Sequence, residues 1–192
     1  MPDRNVSSRE RVLETAGRLF YRDGFRAVGV DTVAAAAGVA KMTLYRHFSS
    51  KDDLIAAYLA DTNGHFWQWF DEAAAQGGGD PAASLAAVFA ALQRLVTTPS
   101  CLGCPFLNAA VDFPLADHPG RQVALAHKQA VLARLQRMAA AAGAQAPDDL
   151  AGQLLVLMDG AFMAVRMFGP DNPAASVAQA AQTLIEAHVV PR

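Results

Sequence analysis

Apolar residues recur every three or four positions along most of this chain, and strand-like alternation is nearly absent. That period belongs to helices with one buried face. Ser7 with Glu10 forms a capping box, and Val12, Ala16, Leu19 and Phe20 then mark one face that ends near Asp23-Gly24. Val33, Ala34 and Ala37 give a short second helix, stopped by Gly38 and plugged by Val39. Leu44 and Phe48, four apart, bury the inner side of a third. Ser50 and Asp53 open a long helix running towards residue 75, with Leu54, Tyr58, Phe66, Trp69 and Phe70 on its apolar side. After the break at Gln76–Pro81, the spacing of Leu85, Val88, Phe89, Leu92, Leu95 and Val96 predicts a fifth helix, ended by Thr97–Ser100. A short one follows over Phe106–Phe113, then longer ones over Asp117 to about Ala142 and Pro147–Phe168. The last opens at Asn172-Pro173 and carries Val177, Ala181, Leu184, Ile185 and His188. The expectation is an all-α chain of about nine helices.

The second and third helices are short, close in sequence and joined by a glycine turn, which is the layout of a helix-turn-helix. With Leu44 and Phe48 facing inward, Lys41, Met42, Thr43, Tyr45, Arg46 and His47 fall on or near the outer face of the third helix. Donors and an aromatic hydroxyl crowded there suit a row of side chains facing a DNA groove.

These residues resemble the tetracycline-repressor (TetR) family signature. The similarity lies in Gly24-Phe25, the Ala-rich helix ending Ala37-Gly38-Val39, and the block Thr43-Leu44-Tyr45-Arg46-His47-Phe48-Ser49-Ser50-Lys51. It covers the first 50 to 60 residues closely. The resemblance implies a helix-turn-helix DNA-binding domain over residues 1–50 and a helical ligand-binding and dimerisation domain over 51–192. It further implies a homodimer that binds double-stranded operator DNA and releases it when a small molecule occupies the second domain. Thr43 and Tyr45 match positions that reach bases or nearby phosphates, and His47 and Lys51 match phosphate-contacting positions. Thr32, Lys41, Met42 and Arg46 complete the expected DNA-binding set; the competing readings make His47 a structural hydrogen-bonder and Tyr45 a packing residue. Two positions depart from the family. Gly29 and Ala40 stand where Ser or Thr usually begins the two short helices, and Ala40 in place of Ser costs roughly 0.5–2 kcal/mol. Phosphate oxygens could take up the amides left free.

Charge changes the picture in the same direction. The whole chain is at −2, yet residues 1–51 hold nine Lys/Arg against five acids, so the head is +4 and the remainder −6. A basic head on an acidic body suits a nucleic-acid-binding unit joined to a regulatory one. No signal peptide and no apolar run of membrane length stands out, which points to a cytoplasmic protein without a membrane partner.

In the second half, Trp67, Phe70, Phe89, Phe106, Phe113, Met158 and Phe162, with Cys104, are candidates to line a pocket for a hydrophobic or aromatic effector; plain core packing is the competing reading. Asp159 sits in the apolar run Leu154–Phe162 and needs a partner such as Arg121, Arg166 or a histidine, or else lines a polar spot in the pocket or interface. The last two long helices are apolar on more than one face. They either close the monomer core or, as the resemblance implies, pack against a second subunit.

Cys101-Leu102-Gly103-Cys104 has the spacing of a redox pair or half a zinc site, with His118 and His127 as the remaining zinc candidates at spacings that fit no common finger. Packing at the start of a helix is the plainer reading. No metal or cofactor is expected. An enzyme is disfavoured, because no phosphate-cradling glycine loop, nucleophile elbow or His-Glu-x-x-His helix is present.

Overall fold

A computed structural model describes residues 7–189. Nine α-helices run along the described residues: α1 (Ser8–Asp23), α2 (Val30–Ala36), α3 (Lys41–His47), α4 (Lys51–Ala75), α5 (Pro81–Val96), α6 (Pro105–Asp112), α7 (Pro119–Ala141), α8 (Pro147–Phe168) and α9 (Val177–His188). A 3-10 turn at Pro173–Ser176 leads into α9, and one isolated bridge pairs Ala144 with Val189. The local chemistry explains the boundaries. Ser7 accepts from the Glu10 amide while Glu10 accepts from the Ser7 amide, as the capping box requires. Asp80 caps α5 ahead of Pro81, and the Ser50 hydroxyl accepts from the Asp53 amide at the start of α4. The sixth helix begins one residue earlier than its apolar pattern, at Pro105, whose fixed φ suits a first helical position.

Packing divides the chain into two compact units, and the division falls inside α4 and α7. One holds the described residues up to Gly64 together with Pro105–Leu125; the other holds His65–Cys104 and the described residues from Ala126. This differs from the 1–50 and 51–192 division, because α6 and the start of α7 group with the head.

In the first unit, Val12, Ala16, Phe20, Phe25, Val33, Leu44, Leu54, Ile55 and Tyr58 form the core. Gly38 turns the chain between α2 and α3 at φ +65°, a conformation that side chains with a Cβ avoid. The end of α6 is bound to this core. The Arg26 guanidinium donates from Nε and from a terminal nitrogen to the Asp112 carbonyl, at 3.1 and 2.5 Å. Phe113 lies 5.5 Å from the Phe25 ring and stacks on His118 at 3.8 Å, with the planes 3° apart.

In the second unit, α5, α8 and α9 pack on one another through Leu85, Val88, Phe89, Leu92, Leu154, Met158, Ala181 and Ile185. Asn172 pins the α8–α9 connection. Its amide donates to the carbonyls of Val96, Gly169 and Pro170, and its oxygen accepts from the Ala174 amide, so a buried polar side chain is well satisfied.

One expectation needs correction. The helix α8 is long and apolar enough to cross a membrane by length and composition, with an 18-residue window of mean hydropathy 1.4. Its apolar residues serve two faces: Leu150, Leu154, Met158 and Val165 are buried, whereas Val156, Met163, Met167 and Phe168 are exposed.

Candidate nucleic-acid interface

The third helix is held from behind and left open in front. Leu44 is fully buried and Phe48 nearly so, which fixes the rotation of α3. Met42 is 79% exposed, Tyr45 and Arg46 are exposed, and Thr43 is half-buried. Thr32 is exposed on α2, and Lys51 is half-buried in the first turn of α4. An outward row of this kind can meet base edges and phosphates without repacking the core.

Two of the expected contact residues also have partners within the protein. Lys41 Nζ lies 2.8 Å from the Asp31 carboxylate, and that hydrogen bond raises the lysine pKa from its ordinary value. Both side chains are more than half exposed, so the pair is weak and a phosphate can compete for the ammonium. His47 Nε2 lies 2.8 Å from the Ser8 hydroxyl, which ties the end of α3 to the start of α1. Neither Gly29 nor Ala40 supplies a side-chain cap. The Arg9 guanidinium lies over the Phe48 ring at 5.2 Å, adding a cation to the side that anchors α3.

The expected effector residues divide between the two units. Phe106 and Phe113 belong with the head. Trp67, Phe70, Phe89, Cys104, Met158, Asp159 and Phe162 belong to the other unit, where Phe70, Phe89 and Met158 are fully buried. Two grooves on that unit are lined by other residues. One, of about 720 Å³, lies between α5 and α9 along Ala83, Ala86, Ala87, Ala90, Gln182 and Glu186. The other, of about 340 Å³, runs along Val156, Gly160 and Ala164 of α8 and Ala174, Val177 and Ala180.

The partner of Asp159 is none of those expected. Lys128 Nζ, from α7, meets it at 2.5 Å, with both side chains largely covered. Lys128 and Asp159 lie on separate helices, so no local spacing announces the pair. The two histidines weighed as zinc ligands lie in different units. His118 Nδ1 accepts from the Gly120 amide and its Nε2 lies 3.4 Å from Asp52. His127 is only 3% exposed, with the Phe66 ring 4.6 Å away edge-on. Burial, reinforced by the neighbouring Lys128 charge, pushes its pKa down to about 3, so the ring is neutral at ordinary pH. Its role is thus that of a buried neutral ring and not of the zinc ligand considered from sequence. The signal was there: His127, Val131, Leu135 and Ala139 stand four apart on one buried row of α7.

Comparison with known proteins agrees with this geometry. The family of bacterial regulatory proteins, tetR family, matches residues 12–58, and the tetracyclin repressor-like C-terminal domain matches 81–181. The crystal structure of a TetR-family transcriptional regulator from Streptomyces coelicolor is 32% identical, covering 95% of this chain and 90% of that one, with a TM-score of 0.90. Over 51 residues, 27% of this chain and 23% of the other, the sequence is 45% identical to the transcriptional activator FasR of Mycolicibacterium smegmatis. Over 60 residues, 31% and 29% of the two chains, it is 33% identical to the transcriptional repressor KstR2 of the same species. The matched stretch thus spans about a quarter of the length of these curated relatives. The head carrying α2 and α3, the helical remainder and both family matches lead to one conclusion: this chain belongs to the TetR family of DNA-binding transcriptional regulators, which are not enzymes.

Proposed function

We propose that the protein is a repressor that binds a palindromic operator as a homodimer and is released by a small hydrophobic or aromatic effector. The observation that carries the DNA half is the outward row of α3, with Met42, Tyr45 and Arg46 exposed above a buried Leu44, within residues 1–51 of net charge +4. Thr43, Tyr45 and Met42 read bases; Lys51, Arg46, His47, Thr32 and Lys41 hold phosphates. A dimer supplies two such helices one turn of DNA apart. The exposed side of α8 supports pairing through α8 and α9, since Val156 is 74% and Met167 70% exposed beside the groove at Gly160 and Ala164. Operator binding places the protein in the cytoplasm with the genome, and no membrane takes part.

For the effector, Trp67, Phe70, Phe89, Cys104, Met158 and Phe162 of the second unit, with Asp159 as the polar element, are our proposed lining; Phe106 and Phe113, which group with the head, are left out of it. Because several are fully buried, the effector selects a more open minor state. Its binding moves α4, which starts at Lys51 and contributes to both units, and so changes the separation of the two heads.

Selection from a random duplex library tests the reading. The expected result is an enriched palindrome that is lost with Tyr45→Ala. An absence of any enriched site refutes operator binding. Operator affinity that no small molecule alters refutes the switch while leaving DNA binding intact.

A further inference from the structure

Neither Cys101 nor Cys104 is used by the DNA-binding reading, and their setting is unusual for packing residues. Both are reduced and buried, at 6% and 5% exposure. The Cys101 amide donates to the Thr98 carbonyl, and the chain then bends at Gly103, which has φ +99°. A Cβ at Gly103 would lie 3.2 Å from the Phe162 carbonyl oxygen and 3.2 Å from the Arg166 Cβ, so the loop is seated directly on α8. Arg166 also donates to the Leu102 carbonyl at 3.5 Å. Cys104 immediately precedes Pro105, the first residue of α6. The loop therefore holds two thiols separated by two residues, with a guanidinium beside it and the amide end of a helix at the second thiol. A bound metal is less suited, because no group of three or more His, Cys, Asp or Glu residues gathers among the described residues.

We propose that Cys101 and Cys104 are a modification site, a dithiol that small hydroperoxides convert to an intramolecular disulfide, with loss of operator affinity. This rests on the operator-binding function proposed above. The Cys104 thiolate attacks the peroxide O–O bond and takes up one oxygen as a sulfenic acid, while the other oxygen leaves with a proton as an alcohol or water. The Cys101 sulfur then attacks the Cys104 sulfur, expelling the oxygen as water and closing the S–S bond. Two thiols lose two electrons and the peroxide gains them. Burial of both thiols favours a small oxidant over one as bulky as glutathione disulfide.

The site has a route to the head. The chain leaves the unit of His65–Cys104 at the Cys104–Pro105 bond and enters the segment of the head that begins with α6. Closing the disulfide resets the residue from which α6 departs. At its far end this eight-residue helix carries the Asp112 carbonyl held by Arg26, followed by Phe113 against Phe25.

The test treats the reduced full chain with hydrogen peroxide, methyl hydroperoxide or glutathione disulfide. Intact mass, thiol titration and operator affinity are read, followed by reduction with dithiothreitol. The peroxides should remove two hydrogens per chain, titrate away both thiols and weaken operator binding about tenfold, reversibly, while glutathione disulfide does little. Cys101→Ser should stop at a sulfenic acid captured by dimedone, and Cys104→Ser should not react. Serine is a good residue to precede a helix, so the latter variant is expected to fold. A chain that keeps both thiols, a disulfide that links two chains, or oxidation without change in operator affinity overturns the proposal. If the reduced protein selects no operator, the functional reading falls instead. The mass then decides the dithiol alone: an intrachain disulfide upholds it and its absence rejects it.

Discussion

Acidification should weaken this fold through a single side chain, His127. An imidazole ordinarily titrates near 6.5, and in the folded protein burial first and the Lys128 charge second bring it to about 3. Between those values the unfolded chain holds a proton that the folded chain refuses. Stability is therefore fully present above pH 6.5 and is lost as the pH falls towards 3. From about pH 7.5 to about pH 5 the loss comes to about 2 kcal/mol, since a full unit of difference is worth about 1.4 kcal/mol. That is a large share of the 5–15 kcal/mol that roughly bounds a domain's stability. Two carboxylates act lower: Glu10, held down by the Ser7 amide and hydroxyl, and Asp23, held down by Arg22, give up their contribution only as the pH falls below the ordinary carboxylate range. Urea melts across this pH window would show a declining midpoint for the native chain and a flatter one for His127→Leu. The slope is the readout, so a lower absolute stability of the variant does not matter. An unchanged slope in the variant, or a flat native profile, would refute the assignment.

Three further outcomes follow from the contacts described. Ala40→Ser should stabilise the head by roughly 1 kcal/mol in urea melts by supplying the missing cap of α3, and no gain would mean the α3 amides are already satisfied. Lys128→Met or Asp159→Leu alone should cost about 1–3 kcal/mol, because each strands a partly covered charge, whereas the double variant should recover most of it. Additive losses in that double-mutant cycle would show that the pair is not coupled. Lys51→Ala should reduce the salt dependence of operator binding by about one phosphate contact without altering the selected sequence, and a changed sequence would make Lys51 a base reader.

Helix positions were legible because their signals are local. Ser7 with Glu10 and Asp80 before Pro81 each act within three residues, and α1 and α5 begin where they indicate, whereas Asn172 before Pro173 opens a 3-10 turn and α9 itself begins at Val177. The outward row of α3 was legible too, since burying Leu44 and Phe48 turns the other side chains outward. Periodicity, however, tells which face is covered and not by what. The Lys128–Asp159 pair, the Ser8–His47 link and the grip of Arg26 on Asp112 join residues 31, 39 and 86 positions apart, and nothing local distinguishes them from alternatives. The surplus apolar face of α8 is visible in composition, but Asp159 and Arg166 interrupt its membrane-length apolar run.

The binding of Phe113 and Asp112 to Phe25 and Arg26 bears on how this protein can be dissected. A fragment ending after the first turns of α4 would carry every residue proposed to touch DNA, yet it would bare the side of Phe25 that Phe113 covers. Such a fragment should be prone to aggregation and quickly digested by proteases. Supplying residues 105–125 as a separate peptide should protect it. The DNA reader is then a discontinuous module, completed by chain made long after its own sequence has left the ribosome, and its last folding step waits for α6.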